Sequence, residues 1–105
     1  YNSDPVTDVK GENFVESPLD FALEQNYPNP FNPSTNIQFA TGSRQFVTLK
    51  VFDVLGREVA TLLNEEKPAG IYRVGFDGSE LTSGVYFYKI STGNFSQTKK
   101  MIILR

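Results

Sequence analysis

The sequence predicts an all-β fold, an immunoglobulin-like antiparallel β-sandwich of about seven strands. Its 105 residues suit a single hydrophobic core. Nine Phe and five Tyr stand beside many Val, Ile and Thr residues, a mixture that favours pleated, half-buried strands. From residue 21 onward, short apolar stretches are divided by turn residues roughly every 8–12 positions, the spacing typical of a sandwich or barrel.

The first half of the chain predicts three strands and one rigid loop. A short edge strand is expected at residues 21–23. Residues 26–34 contain three prolines, whose fixed φ and missing N–H exclude both a helix and a central strand. Strands are then expected at 35–40 and 46–53. In the second of these strands the apolar side chains alternate and should share one face: Val47, Leu49 and Val51.

The second half predicts four further strands. The first is expected at 58–63. The second carries Tyr72, Val74 and Phe76 and ends at Asp77-Gly78. The third and fourth are expected at 84–90 and at 95–104. Residues 57–66 also fit the spacing of an amphipathic helix. A strand is favoured there, because one short helix would interrupt an otherwise all-β pattern.

The first 18 residues differ from the remainder of the chain. They are polar, contain Pro5 and Pro18, and show neither helical nor strand periodicity. We therefore expect residues 1–18 to be a linker from an upstream domain, and residues 19–105 to be the folded domain. Because Met101 is the only methionine, we expect the chain to be a piece of a longer protein.

The composition argues against an enzyme. Without Cys there is neither a disulfide nor a thiolate metal site, and without His the commonest general base and metal ligand are missing. Asp53, Asp77 and Glu80 lie in or beside turns but do not form the spaced acidic run of a calcium loop. We therefore expect no catalytic residue, no metal and no cofactor.

Charge is distributed unevenly. Residues 1–24 hold six acids against Lys10 alone, which leaves residues 25–105 with a balance of +3. No block of like charges is long enough to form a patch, so ordinary solvated charge is favoured and nucleic acid is not an expected partner.

One segment has the layout of a tyrosine corner. In Leu81-Thr-Ser-Gly-Val-Tyr86, a Tyr near the start of a strand can fold over a tight turn and bond the backbone upstream. Gly84 permits the turn, although Ser83 stands where such corners usually have Pro. A structural role for Tyr86 is favoured over a binding role.

Five stretches of sequence together point to a family. They are LEQNYPNPFNPST at 23–35, VFDVLGREVA at 51–60, PAGIY at 68–72, SGVYFYK at 83–89 and TKKMIILR at 98–105. In this order they resemble the C-terminal sorting domains, type A, of the type IX (Por) secretion system. The family's Pro-x-Gly-x-Tyr element falls on Pro68, Gly70 and Tyr72, and its Gly-x-Tyr element on Gly84 and Tyr86. Its basic and apolar terminal element covers Lys99, Lys100, Met101, Ile102, Ile103, Leu104 and Arg105.

The resemblance implies a function in protein export. It implies an immunoglobulin-like domain that folds in the periplasm and is read there by the outer-membrane translocation machinery. It also implies that a sortase-like protease then removes the domain and that the cargo is joined to anionic lipopolysaccharide or released. The parent protein is thus expected at the cell surface or in the medium.

The terminal element also has a physical rationale of its own. Met101–Leu104 is apolar at consecutive positions, so a strand there must show some of these side chains on each face. Our hypothesis is that this strand, at a sheet edge, is contacted by the export machinery through its shape or by strand addition. In the alternative, Ile102 and Leu104 fill the core, and both descriptions can hold together.

Two other functions are compatible with a small sandwich. One is a carbohydrate-binding accessory module of a secreted hydrolase, with Tyr27 and Phe31 as an aromatic platform. The other is a structural immunoglobulin-like domain similar to that of the flagellar hook-capping protein. For the Tyr27 and Phe31 loop, packing onto its own sheet is favoured over sugar binding.

Overall fold

Seven strands and no helix make up the described part of the chain. The computed structural model describes residues 21–93 and 95–105, so the predicted linker, residues 1–18, lies outside the described residues. Within them, no helix is long and apolar enough to cross a membrane. The strands are β1 (Ala22–Leu23), β2 (Ser34–Thr41), β3 (Gln45–Phe52), β4 (Glu58–Lys67), β5 (Gly70–Asp77), β6 (Gly84–Ser91) and β7 (Ser96–Ile103).

The strands form two antiparallel sheets. One sheet has the order β1-β2-β5 and the other the order β4-β3-β6-β7. The fourth strand therefore pairs with β3 and joins the sheet of the last two strands, whereas constant-type immunoglobulin domains place it beside the fifth. The predicted all-β, immunoglobulin-like sandwich is confirmed.

Residues 58–67 form a strand and not the amphipathic helix whose spacing residues 57–66 also fit. β4 pairs with the whole of β3, from Gln45 opposite Lys67 to Phe52 opposite Glu58. Two register shifts in this ladder let β4 follow β3 despite their different lengths. β4 thus continues four residues beyond the predicted end at residue 63, and only Pro68 and Ala69 separate it from β5.

The core lies between the two sheets and follows the period-two pattern of strands. The predicted trio Val47, Leu49 and Val51 is fully buried. Each large aliphatic or aromatic side chain removed from water in this way stabilises the fold by about 1.5–3 kcal/mol. The other core side chains of 0% exposure are Ile37, Phe39, Tyr88, Ile90, Met101 and Ile103.

The terminal strand fills the core with Met101 and Ile103, and not with the two residues that the alternative description placed there. Met101 and Ile103 are fully buried, while Ile102 is half-buried and Leu104 is 56% exposed. The alternative in which Ile102 and Leu104 fill the core is therefore wrong. Four consecutive apolar residues do not reveal the phase of a strand, and the antiparallel register with β6 decides it.

Tyr88 connects the core to the proline-rich segment, residues 26–34. Its hydroxyl donates to the Glu24 carbonyl at 2.7 Å and accepts from the Asn26 amide at 2.8 Å. The Asn26 side chain in turn donates to Pro28 O and Thr35 Oγ1, each at 3.1 Å. A loop whose prolines remove amide donors is thus held by side chains that supply the missing hydrogen bonds.

We predict that Tyr88→Phe destabilises the domain by about 2 kcal/mol, because it leaves the buried Asn26 amide without an acceptor. Urea unfolding of both proteins measures the difference. Tyr27→Phe is the control, since Tyr27 is 80% exposed, and it should change stability little. Equal effects of the two substitutions would contradict this role of Tyr88.

Stability should also fall at alkaline pH through Tyr88. Burial, with a smaller contribution from the nearby Glu24 carboxylate, raises the pKa of Tyr88 from 10.0 to about 12, although the Asn26 hydrogen bond opposes the shift. The unfolded chain loses this proton near pH 10 while the folded chain keeps it, so stability present below pH 10 is lost as the pH rises towards 12. Urea unfolding between pH 9 and 12 should show a shallower decline for Tyr88→Phe; parallel declines would contradict the assignment.

Candidate functional site

The terminal strand lies at the edge of the four-stranded sheet. β7 pairs with β6 from Ser91 opposite Ser96 to Gly84 opposite Ile103, and it has no second partner strand among the described residues. Its buried side chains, Met101 and Ile103, point inward. Alternation therefore places the side chains at positions 100 and 102 on the outer side of the sheet, and Leu104, which follows the strand, is 56% exposed.

The second half of this edge is covered by the proline-rich segment. The Phe31 amide donates to the Ile102 carbonyl, and the Leu104 amide donates to the Phe31 carbonyl, both at 3.0 Å. Asn29 Oδ1 accepts the Ile102 amide at 3.0 Å. At residues 96–99, in contrast, no backbone group of the described chain bonds the outer edge. Half of the edge is thus satisfied internally, which limits pairing with another chain.

Arg105 ties the end of the strand to the loop between β5 and β6. Its amide donates to Ser83 Oγ at 2.8 Å. Its guanidinium donates to the Gly78 carbonyl at 3.2 Å and also to the Leu81 carbonyl. The last residue therefore has a fixed position on the surface of the domain.

The predicted tyrosine corner is confirmed at the start of β6. The Tyr86 hydroxyl donates to the Thr82 carbonyl, four residues upstream, at 3.0 Å. Gly84 has a φ of +148°, which L side chains rarely adopt, and nothing lies within 4 Å of where its Cβ would be. Glycine is thus favoured there by the backbone conformation and not by lack of space.

A second corner of the same kind stands at the start of β5. The Tyr72 hydroxyl donates to the Pro68 carbonyl, again four residues upstream, at 2.5 Å. A Cβ on Gly70 would lie 3.4 Å from the Tyr72 hydroxyl oxygen, so the glycine leaves room for this contact. Lys67 Nζ lies 5.0 Å from the centre of the Tyr72 ring. Sequence reasoning missed this corner, although the shared Gly-x-Tyr spacing was a signal for it.

The structure brings most of the predicted site residues together. Gly84 pairs with Ile103, and Tyr86 pairs with Met101, so the corner of β6 supports the terminal strand directly. Pro68, Gly70 and Tyr72 lie instead at the β4–β5 turn and on β5, whose one partner among the described strands is β2. The predicted residues therefore form two separate groups.

The turn between β3 and β4 presents two apolar side chains that the prediction had not selected. Val54 is 65% and Leu55 is 73% exposed. Asp53 holds the turn, since Oδ1 accepts the Leu55 and Arg57 amides at 2.9 and 3.0 Å and Oδ2 accepts Arg57 Nε at 2.8 Å. The hydrogen bond from the Arg57 amide is the main cause that lowers the pKa of Asp53.

The two aromatic residues proposed as a sugar platform are separated. Tyr27 is 80% exposed, whereas Phe31 is 2% exposed and packs edge-on against Phe76 at a centroid distance of 6.1 Å. Phe31 therefore belongs to the core, as the structural interpretation of this loop predicts. Within residues 21–93 and 95–105, no group of three or more acidic side chains could hold a metal ion.

Comparison with known families identifies the chain. The profile of a family described as "Secretion system C-terminal sorting domain" matches residues 25–104, more than half of the chain. The chain belongs to this family. The sorting domain is thus a C-terminal signal for type IX secretion, and its family is not a family of enzymes. No curated protein matches the chain, and the carbohydrate-binding alternative receives no support.

The two corners should differ in their contribution to stability. Tyr86 is 7% exposed, so Tyr86→Phe should cost about 1 kcal/mol by removing a partly buried hydrogen bond. Tyr72→Phe should cost less, because its hydrogen bond is exposed to water. Thermal and urea unfolding of the two variants tests this order, and a larger loss for Tyr72→Phe would contradict it.

Proposed function

We propose that the sorting domain carries its parent protein through the periplasm to the outer-membrane translocation machinery, which reads the outward side chains of β7. The observation that supports this proposal is that buried and outward side chains alternate along the strand. Met101 and Ile103 are fully buried and hold the domain together. Lys100, Ile102 and Leu104 alternate with them on the outer side, where a receptor can reach them.

Reading through side chains is favoured over strand addition. A partner strand would need the outward backbone groups of β7, but those of Ile102 and Leu104 already bond Phe31 and Asn29. Strand addition without displacing the proline-rich segment would be confined to residues 96–99. The apolar end of the strand is thus available through its side chains and not through its backbone.

The remaining predicted residues would act as positioning residues. Gly84 and Tyr86 shape the start of β6, which pairs with the terminal strand. Pro68, Gly70 and Tyr72 do the same for β5 in the other sheet. Lys99 and Arg105 border the read-out side chains, and Arg105 is anchored to Ser83. The family's corner elements would therefore support recognition without contacting the receptor.

The proposal extends to the steps after recognition. Residues 1–18 would be the linker at which a sortase-like protease separates the domain from its cargo. The cargo would then be attached to anionic lipopolysaccharide or released. The resemblance to the sorting-domain family supports these steps, and the polar, proline-containing composition of the linker suits a protease site.

The export experiment uses all 105 residues fused behind a fluorescent reporter with an ordinary export leader, in a bacterium that has type IX secretion. We predict that the unaltered fusion reaches the cell surface or the medium. Ile102→Ser and Leu104→Ser should keep it in the periplasm, because each removes an outward apolar contact while leaving the core intact. Protease accessibility of the reporter on whole cells measures the difference.

Ile71→Ser provides a matched control, since Ile71 is an apolar strand residue that is 72% exposed on the other sheet. It should be exported normally, and circular dichroism should show all three variants folded. Periplasmic retention of the unaltered fusion would refute the sorting function. Normal export of folded Ile102→Ser and Leu104→Ser would refute reading through the side chains of β7.

A further inference from the structure

The outer faces of the two sheets differ in character. On the three-stranded sheet, β2 presents mainly polar residues, among them Asn36 and Gln38. On the four-stranded sheet, the outward positions of β3, β6 and β7 include four large apolar side chains, each half-buried: Phe52, Val85, Phe87 and Ile102. A sheet face that serves only to meet water does not need such side chains.

The apolar side chains form one continuous stripe. Phe52 lies directly opposite Phe87 across β3 and β6, and Val85 lies directly opposite Ile102 across β6 and β7. Opposite residues on the same face have Cβ atoms about 4.5–5.5 Å apart, so these pairs adjoin. The stripe therefore begins on β3 and ends at the outward residues of the terminal strand.

Three lysines surround this stripe at close range. Lys50 is directly opposite Lys89 across β3 and β6. Thr98 of β7 is opposite Lys89, and Lys100 lies two residues further along β7, so Lys100 is a diagonal neighbour of Lys89. Like charges placed directly opposite each other destabilise a sheet. Lys50 is 3.4 Å from Glu58, but no carboxylate of the described residues lies within 4.0 Å of Lys89 or Lys100. Apart from the Lys50–Glu58 pair, the described part of the fold gains no ion pair from these three lysines.

We propose that this outer face of the four-stranded sheet docks a protein that presents apolar side chains among carboxylates. Carboxylates would complement the three lysines, and apolar side chains would cover the stripe. An anionic polymer would use the lysines and leave the stripe exposed. A second copy of this domain would bring Lys89 and Lys100 against the same lysines, and the carboxylate beside the stripe, Glu58 opposite Phe52, is already paired with Lys50. The stripe and the lysines together thus select an acidic, apolar protein surface.

This inference rests on the proposed function, because the outward residues of β7 form one border of the docking face. It adds residues of β3 and β6 that the sequence did not single out. It also gives the chemistry of the partner. On this basis the receptor reads a surface three strands wide, and the terminal strand is its edge.

Lys89→Glu tests the charge of the face. It replaces the Lys50–Lys89 repulsion with an opposite-charge pair, so the midpoint of thermal unfolding should rise or stay unchanged. Export of the reporter fusion should nevertheless fall on the order of tenfold, the effect of losing about 1.4 kcal/mol of binding. Arg73→Glu, the same charge change at an exposed position of β5, is the control and should be exported normally. Normal export of Lys89→Glu would overturn the proposal, while retention of Leu104→Ser would keep the proposed function intact.

Phe87→Ser tests the stripe, with Val85→Thr as a milder second variant should the first unfold. Both should reduce export on the order of tenfold. Normal export of a folded stripe variant, combined with failure of Lys89→Glu, would indicate an anionic polymer and overturn the protein partner.

A titration followed by NMR does not depend on export. The 105-residue chain is titrated with the peptides Asp-Leu-Asp-Phe-Asp and Lys-Leu-Lys-Phe-Lys. The acidic peptide should shift amides along β3, β6 and β7, and the basic peptide should not. Equal responses to both peptides, or none, would overturn the proposal even if the unaltered fusion is exported.

Discussion

The pairing of the last strand with β6 is the interaction on which the remainder of the domain depends. It brings Met101 and Ile103 into the core, where both are fully buried, and it places Lys100, Ile102 and Leu104 on the opposite side. One residue of slip would exchange the two sets and expose the core. One set of alternate residues of this strand thus stabilises the fold, and the other set is the one that we propose is recognised.

The proline-rich segment and the last residue protect this strand from unwanted pairing. Phe31 and Asn29 occupy the outer edge of its second half, and Arg105 is bonded to Ser83. Tyr88 fastens the covering segment to the core through Glu24 and Asn26. A sheet edge with apolar side chains invites aggregation, and here part of that edge is covered by the chain itself.

A tyrosine corner shapes the start of two strands that lie in different sheets. In each case a Tyr hydroxyl donates to the carbonyl four residues upstream, with a glycine midway between them. Tyr72 directs the start of β5, and Tyr86 directs the start of β6. The Gly-x-Tyr spacing of these two segments thus has a physical basis in chain reversal.

The sequence by itself determined the strands, the absence of His and Cys, the tyrosine corner at Tyr86 and the family, because these depend on residue type and short spacings. It did not determine the phase of Met101–Leu104, since four consecutive apolar residues suit either face. It also did not predict that Phe31 would cover the edge of β7, or that Lys50, Lys89 and Lys100 would meet beside an apolar stripe. Those features depend on which strands pair and in what register, and only the tertiary structure decides that for residues far apart in the chain.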